Sequence, residues 1–380
     1  MKKKLYITRT VKLVCLFLAL TLTFGILQSY VLCRIDANSI RLEGYYQEEK
    51  DSLDVVLLGA SEVYTGFSSG LAYDKYGFTS YPFASESITA DGTLLALKEI
   101  VRTQKPQLIV IELNAYLYAK DSNESHDAHI RKLIDNIPLN ENKIEYISNN
   151  VPPEEQLEYY LPLIKYHGTW SDIPKMPRLT VTKLLQQMRG TSYLKGFRTT
   201  TDVFKPTDKV LNHKLANETG TKKLNPVLEQ KLRDLLDYCK EQKLDNVVFL
   251  RTPHLVYSKT YDRVKRANCA GEIVKSYGFP FINLERDFEK IGIAPETDFY
   301  NYDHMNIYGT VKMTEYLSAV LCRDYHIRGR ELSAKQKENW DKAGKYFHKL
   351  YQYCDYLIKE KHEKVQLMED INTLQALEKY

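Results

Sequence analysis

The chain has 380 residues, 43% of them hydrophobic and 27% charged, the balance of a globular protein and not of a disordered one; that length buries a sizeable core in one large or two modest domains. Its formal charge of +4 is local: six of the 53 basic residues (Lys2, Lys3, Lys4, Arg9, Lys12, Arg34) and none of the 49 acidic ones precede residue 35. The remainder, 47 basic against 49 acidic, is nearly neutral, which argues against nucleic acid as a partner.

In chain order, residues 1–12 are a basic cytoplasmic segment. The uncharged apolar run Leu13 to Leu32 follows, long enough at about 20 residues to span a bilayer. Positive charge before the run places the N-terminus in the cytoplasm and the rest outside. The run ends in Tyr30-Val31-Leu32-Cys33, a poor cleavage site, so 13–33 is expected to be an uncleaved anchor rather than a signal peptide. Residues 34–51 read as a linker.

Asp54 to Leu58, closed by Gly59, reads as a buried parallel strand, Gly77 to Phe83 as a second, and Leu108 to Ile111 as a third, after a helix over Thr93 to Thr103. Residues 120–225 are polar, Pro-interrupted and Tyr-rich, an insertion with helices of its own. Alternation then resumes: a helix over Val227 to Gln242, a strand at Val247 to Leu250, a helix over 260–277, a strand at Phe279 to Leu284, and a helix over Asn306 to Cys322. Such alternation predicts an α/β domain over 52–330, a parallel sheet with helices on both faces. From 331 to 380, apolar residues at helical spacing predict one or two amphipathic helices, docked on the domain or offered to a partner. No C-x-x-C pair occurs among the six cysteines, which argues against a zinc or thioredoxin-like site; Cys239, Cys322 and Cys354 read as buried free thiols.

Gly59-Ala60-Ser61 stands where the first strand ends, at the carboxyl edge where open parallel sheets place their sites. Val63 occupies the second glycine position of a G-x-S-x-G elbow, against an α/β-hydrolase fold. Taken singly, Ser61 is also what a plain turn holds, and His304 what a helix start holds, with Asn306 as its cap. Placed at opposite ends of one sheet, Ser61 and His304 are candidate nucleophile and general base. Arg251 and His254, after the fourth strand, are candidate substrate contacts, the arginine for a carboxylate or phosphate. Tyr166, His167 and Trp170 in the insertion are candidates for an acceptor groove or for packing the insertion onto the sheet.

The stretches LLGASEVYTGF and DFYNYDHMNIYG resemble the first and last blocks of the SGNH (GDSL-like) hydrolase superfamily. They are most similar to its membrane-anchored branch, which includes the D-alanyl-lipoteichoic acid transfer proteins and the alginate O-acetylation proteins. The resemblance implies a three-layer SGNH-type fold and a Ser61–His304 pair. Asn301 stands where the superfamily has an acid, with Asp303 and Asp298 as nearby substitutes. Oxyanion donors would be the N–H of Ser61, that of Ser87 or Ser85, and the amide of Asn114. It further implies a single-pass protein of a bacterial cell membrane that transfers or hydrolyses acyl groups on a cell-envelope glycan or teichoic polymer, without metal or organic cofactor, beside a membrane-bound O-acyltransferase. The alternative reading is a catalytically degenerate accessory subunit that binds the polymer or braces the acyltransferase.

Overall fold

A computed structural model describes residues 2–31, 35–119, 126–168 and 177–380. The protein is α/β. Five strands, β1 (Val55–Gly59), β2 (Ser80–Ala84), β3 (Leu108–Glu112), β4 (Val247–Arg251) and β5 (Phe281–Asn283), form one parallel sheet in the order β2-β1-β3-β4-β5. The runs at β1 and β3 are apolar throughout because both faces are covered. Val56, Leu58, Ile109 and Ile111 enter one core with the helices Ala90–Thr103, Pro226–Glu241 and Tyr261–Ser276. Val55, Leu57, Leu108 and Val110 point the other way, into a core built on the helix Ile307–Asp324. Strand order reverses at β1, so the switch point of the sheet, where open parallel sheets place their sites, lies at the carboxyl edge between β1 and β3.

The expected strands and helices fall within a few residues of the observed ones, but two regions differ. The stretch read as a linker contains the helix Ala37–Tyr46, closed by a capping box between Asp36 and Ser39. It is fixed because Leu42 and Tyr45 join the core and the Tyr81 hydroxyl donates to the Arg41 carbonyl at 2.8 Å. Two short helices missed by periodicity, Ser61–Gly66 and Ser69–Tyr76, follow β1. Of the two alternatives expected for the C-terminal helices, docking on the domain is the one observed: the helix Ala334–Tyr356 lies across Ser69–Tyr76, where a Cβ on Gly70 would come within 2.6 Å of the Ala343 carbonyl oxygen. The tail then pairs Gln366–Leu367 antiparallel with Thr199–Thr200.

Near the N-terminus, Arg9–Tyr30 is a stretch of 22 residues long and apolar enough to cross a membrane, exposed as far as Ile26 and half-buried at Leu27, Gln28 and Tyr30. Cys33 lies outside the described residues; Cys15, Cys239, Cys269, Cys322 and Cys354 are free thiols.

Candidate active site

β1 ends at Gly59, and the chain turns through Ala60 into a helix whose first residue is Ser61. A Cβ on Gly59 would meet Val63 Cγ2 at 2.6 Å and Glu112 Cβ at 2.8 Å, so glycine is needed for the ends of β1 and β3 to close up here. At the far end of the chain, a bridge between Phe299 and Met305 pinches off a tight loop. Asn301 builds that loop: its Oδ1 accepts the backbone N–H groups of Asp303 and His304, each at 2.9 Å. Asn306 caps the next helix by accepting from Tyr308 and Gly309.

The loop delivers His304 to Ser61. His304 Nε2 stands 2.7 Å from Ser61 Oγ, and Nδ1 stands 2.9 Å from Asn301 Oδ1. Because the amide oxygen only accepts, Nδ1 carries the proton and donates it, leaving the Nε2 lone pair to accept from the serine hydroxyl. Tyr300 stacks on the imidazole, centroids 5.3 Å apart and planes 16° from parallel. Burial pushes the His304 pKa down, against the pull of the Glu62 and Asp303 charges, and so keeps the ring neutral, as a general base requires.

Neither aspartate substitutes for the missing acid. Asp303 turns to Arg263 at 2.9 Å, and Asp298 is held by Lys312 at 2.6 Å. Asp303 therefore acts on His304 only through its field.

Beneath the pair runs a buried ionic network that sequence reasoning missed in most of its members. Glu62, the neighbour of Ser61, places Oε2 3.5 Å from the serine hydroxyl and accepts through Oε1 from Asn114 Nδ2. His254 Nε2 stands 3.7 Å from the same Glu62 oxygen, while its Nδ1 lies 2.8 Å from the Thr252 carbonyl and 3.1 Å from Glu285. Arg251 reaches Glu285 at 2.8 Å, Asn114 Oδ1 at 2.9 Å and Glu112 at 3.4 Å. Glu112 Oε2 takes the Asn114 N–H at 2.7 Å. The legible signal was positional: Glu112 and Arg251 end neighbouring, otherwise apolar strands, and Glu285 follows the next one.

Charge is distributed unevenly across this network. Burial opposes ionisation of Glu62 and Glu285, yet the cations facing them win, and both carboxyls sit at about 2. Burial and Arg251 oppose charging of His254, yet Glu285 and Glu62 raise it to about 9. Burial together with the Glu62 charge pushes Glu112 up to about 7.

The other expected contacts are placed as follows. Arg251 and His254 are buried within the network, so neither is a direct contact for an incoming molecule in this geometry. The Ser85 N–H is spent on the Gly59 carbonyl at 3.2 Å, which removes it as an oxyanion donor. Ser87 is exposed on the loop after β2, in the left-handed region at φ 53°, uncommon for a residue other than glycine. Asn114 follows β3 at the carboxyl edge and is buried, and its amide nitrogen already serves Glu62. In the insertion, the Tyr166 hydroxyl donates to Asp135 at 2.6 Å, which braces the insertion internally, and His167 Nδ1 lies 2.6 Å from the Ile164 carbonyl. Trp170 lies outside the described residues.

Fold and site together define an α/β protein with a serine–histidine–asparagine relay at the carboxyl edge of its parallel sheet. No protein-family model matches the chain, and neither a curated protein nor a solved structure matches it.

Proposed function

We propose that the chain is a membrane-tethered, extracytoplasmic serine acyltransferase or esterase of SGNH type, acting on a teichoic or polysaccharide polymer of a bacterial cell envelope. The observation that carries this reading is the 2.7 Å contact between Ser61 Oγ and His304 Nε2, joined across 243 positions of sequence. Ser61 Oγ attacks the acyl carbonyl carbon as its proton passes to His304 Nε2. The tetrahedral oxyanion rests on the N–H groups of Ser61 and Ser87. Its collapse breaks the bond to the leaving group, which takes the proton from His304. A polymer hydroxyl or water then gives its proton to His304 and attacks the acyl-serine; collapse of that second tetrahedral intermediate breaks the bond to Ser61 Oγ, which takes the proton back from His304.

Asn301 orients the imidazole, as an amide does in Cys–His–Asn sites. Being neutral, it does not stabilise the imidazolium; Glu62, buried, ionised and beside the serine, supplies a negative charge instead. Arg9–Tyr30 serves as an uncleaved span with the N-terminus cytoplasmic, and the resemblance of the two end blocks supports a membrane-bound O-acyltransferase as the source of acyl groups.

Asn301 also favours the second reading, an accessory subunit that retains the fold but not turnover. A fluorophosphonate probe separates the two. Labelling of the full chain that vanishes in Ser61→Ala and collapses in His304→Ala supports the enzyme; equal labelling of wild type and Ser61→Ala rules it out.

A further inference from the structure

The helix Pro177–Arg189 is built inside out. Its buried side is polar: Thr182 accepts the Ile371 N–H at 3.2 Å, and Gln186 donates to the Ile40 carbonyl at 3.2 Å. Four of its apolar residues face away from the protein. Val181, Leu184, Leu185 and Met188 are exposed to 39%, 41%, 41% and 83%, at the i, i+3, i+4, i+7 spacing of a single helical stripe. Four exposed apolar side chains in one stripe mark a contact surface rather than scatter.

Position identifies what covers the stripe. Gln187, on the same helix, accepts from the Tyr30 hydroxyl at 2.5 Å. Lys183 donates to the Ser29 carbonyl at 3.2 Å and stands 5.2 Å from the Tyr30 ring centroid. Ser29 and Tyr30 are the last residues of the apolar stretch Arg9–Tyr30. Such a helix rises about 1.5 Å per residue, so 22 residues cover a hydrocarbon core of about 30 Å and leave Tyr30 at the interface, where tyrosines anchor. A helix bonded to Ser29 and Tyr30 lies at that same level.

We propose that Pro177–Arg189 lies flat on the membrane surface, with Val181, Leu184, Leu185 and Met188 seated at the boundary of headgroups and acyl chains. This rests on reading Arg9–Tyr30 as an uncleaved span. A single span leaves the domain free to tilt and swivel; a second contact at the point of exit removes the tilt and fixes the height of the Ser61 edge above the bilayer. The inversion of the helix then has a cause: its polar face is what the protein side demands, and its apolar face is what the lipid side demands.

The test uses the full chain in lipid nanodiscs, with Met188→Trp or Leu185→Trp as reporters, wild type as the fluorescence background and Leu18→Trp as a reporter within the span. The expected result is that brominated lipid quenches at least about half of the added emission at 188 and 185, while aqueous iodide quenches little of it. Quenching by iodide and not by brominated lipid overturns the proposal. Protection from iodide without quenching by brominated lipid means that a second copy covers the stripe, and overturns it as well. Should Leu18→Trp escape brominated lipid, the span itself is refuted; quenching at 18 with iodide access at 188 refutes only the surface contact.

Discussion

Two histidines, His254 buried and His304 half-buried, share the carboxyl edge of this sheet and feel the same carboxylate, Glu62, yet they are held in opposite charge states. His304 meets a neutral amide on one nitrogen and a hydroxyl on the other, and burial leaves it an uncharged ring. His254 meets Glu285 on one side and Glu62 on the other, and those carboxylates outweigh burial and hold it as a cation. The partner directly on the ring nitrogen, more than burial, decides whether a histidine becomes a base or a counterion. The neutral histidine is placed to take a proton from Ser61, and the charged one keeps Glu62 ionised beneath it.

The comparison breaks most severely at the nucleophile. If the chain is the proposed enzyme, Ser61→Ala should abolish fluorophosphonate labelling and His304→Ala should slow it by about 10³-fold or more, while melting temperatures of both variants should stay near wild type. His254→Leu should do the reverse. Removing one partner of a buried ionic cluster costs about 3–5 kcal/mol, readable as a shift in urea midpoint, while the labelling rate of the folded protein changes less than about tenfold. Should His254→Leu abolish labelling in folded protein, the division of labour between the two rings is refuted.

Glu62→Gln comes next. Its charge raises the His304 pKa, so removing it moves the acidic limb of the labelling profile to lower pH while the limiting rate falls about tenfold through loss of imidazolium stabilisation. Asn301→Asp works in the other direction, moving that limb to higher pH by about one unit, and in the Glu62→Gln background it restores part of the rate. No rescue would mean that Glu62 acts on packing alone.

The smallest effect is on stability against pH. His254 has a folded pKa of about 9 against an ordinary 6.5, so its contribution is complete below pH 6.5 and is lost as pH rises through 9. Glu112, raised to about 7 from 4.5, loses its contribution as pH rises through 7. Glu62 and Glu285, held at about 2, contribute fully above 4.5 and lose it as pH falls toward 2. The melting temperature should therefore decline from pH 6 to pH 9, and less steeply in His254→Leu; a flat profile in wild type would contradict these charge states.

Local patterning made the sheet legible. The apolar runs at β1, β3 and β4 are readable because strands covered on both faces need no polar alternation, and the helices after them carry 3.6-residue periodicity over several turns. Ser61 was legible from its place at a strand end, and His304 from its place just before a helix. Short elements were not: Ser61–Gly66 has too few turns to show a period, and Ala37–Tyr46 owes its order to Leu42 and Tyr45 finding the core. Arg251 and His254 read as substrate contacts because their residue types and strand-end positions do not reveal that Glu62, Glu112 and Glu285 converge on them.

By itself, then, the sequence determined an apolar N-terminal helix, a parallel α/β sheet and a serine and histidine at its carboxyl edge, since each of these is written in composition or in spacing along the chain. Tertiary structure alone decided that the two residues meet, that Asn301 rather than an aspartate holds the ring, and which histidine carries charge. Those outcomes depend on distances of 2.7 to 3.7 Å, all but the His304–Asn301 contact between groups far apart in the chain, and electrostatic and hydrogen-bond energies are functions of such distances, not of residue order.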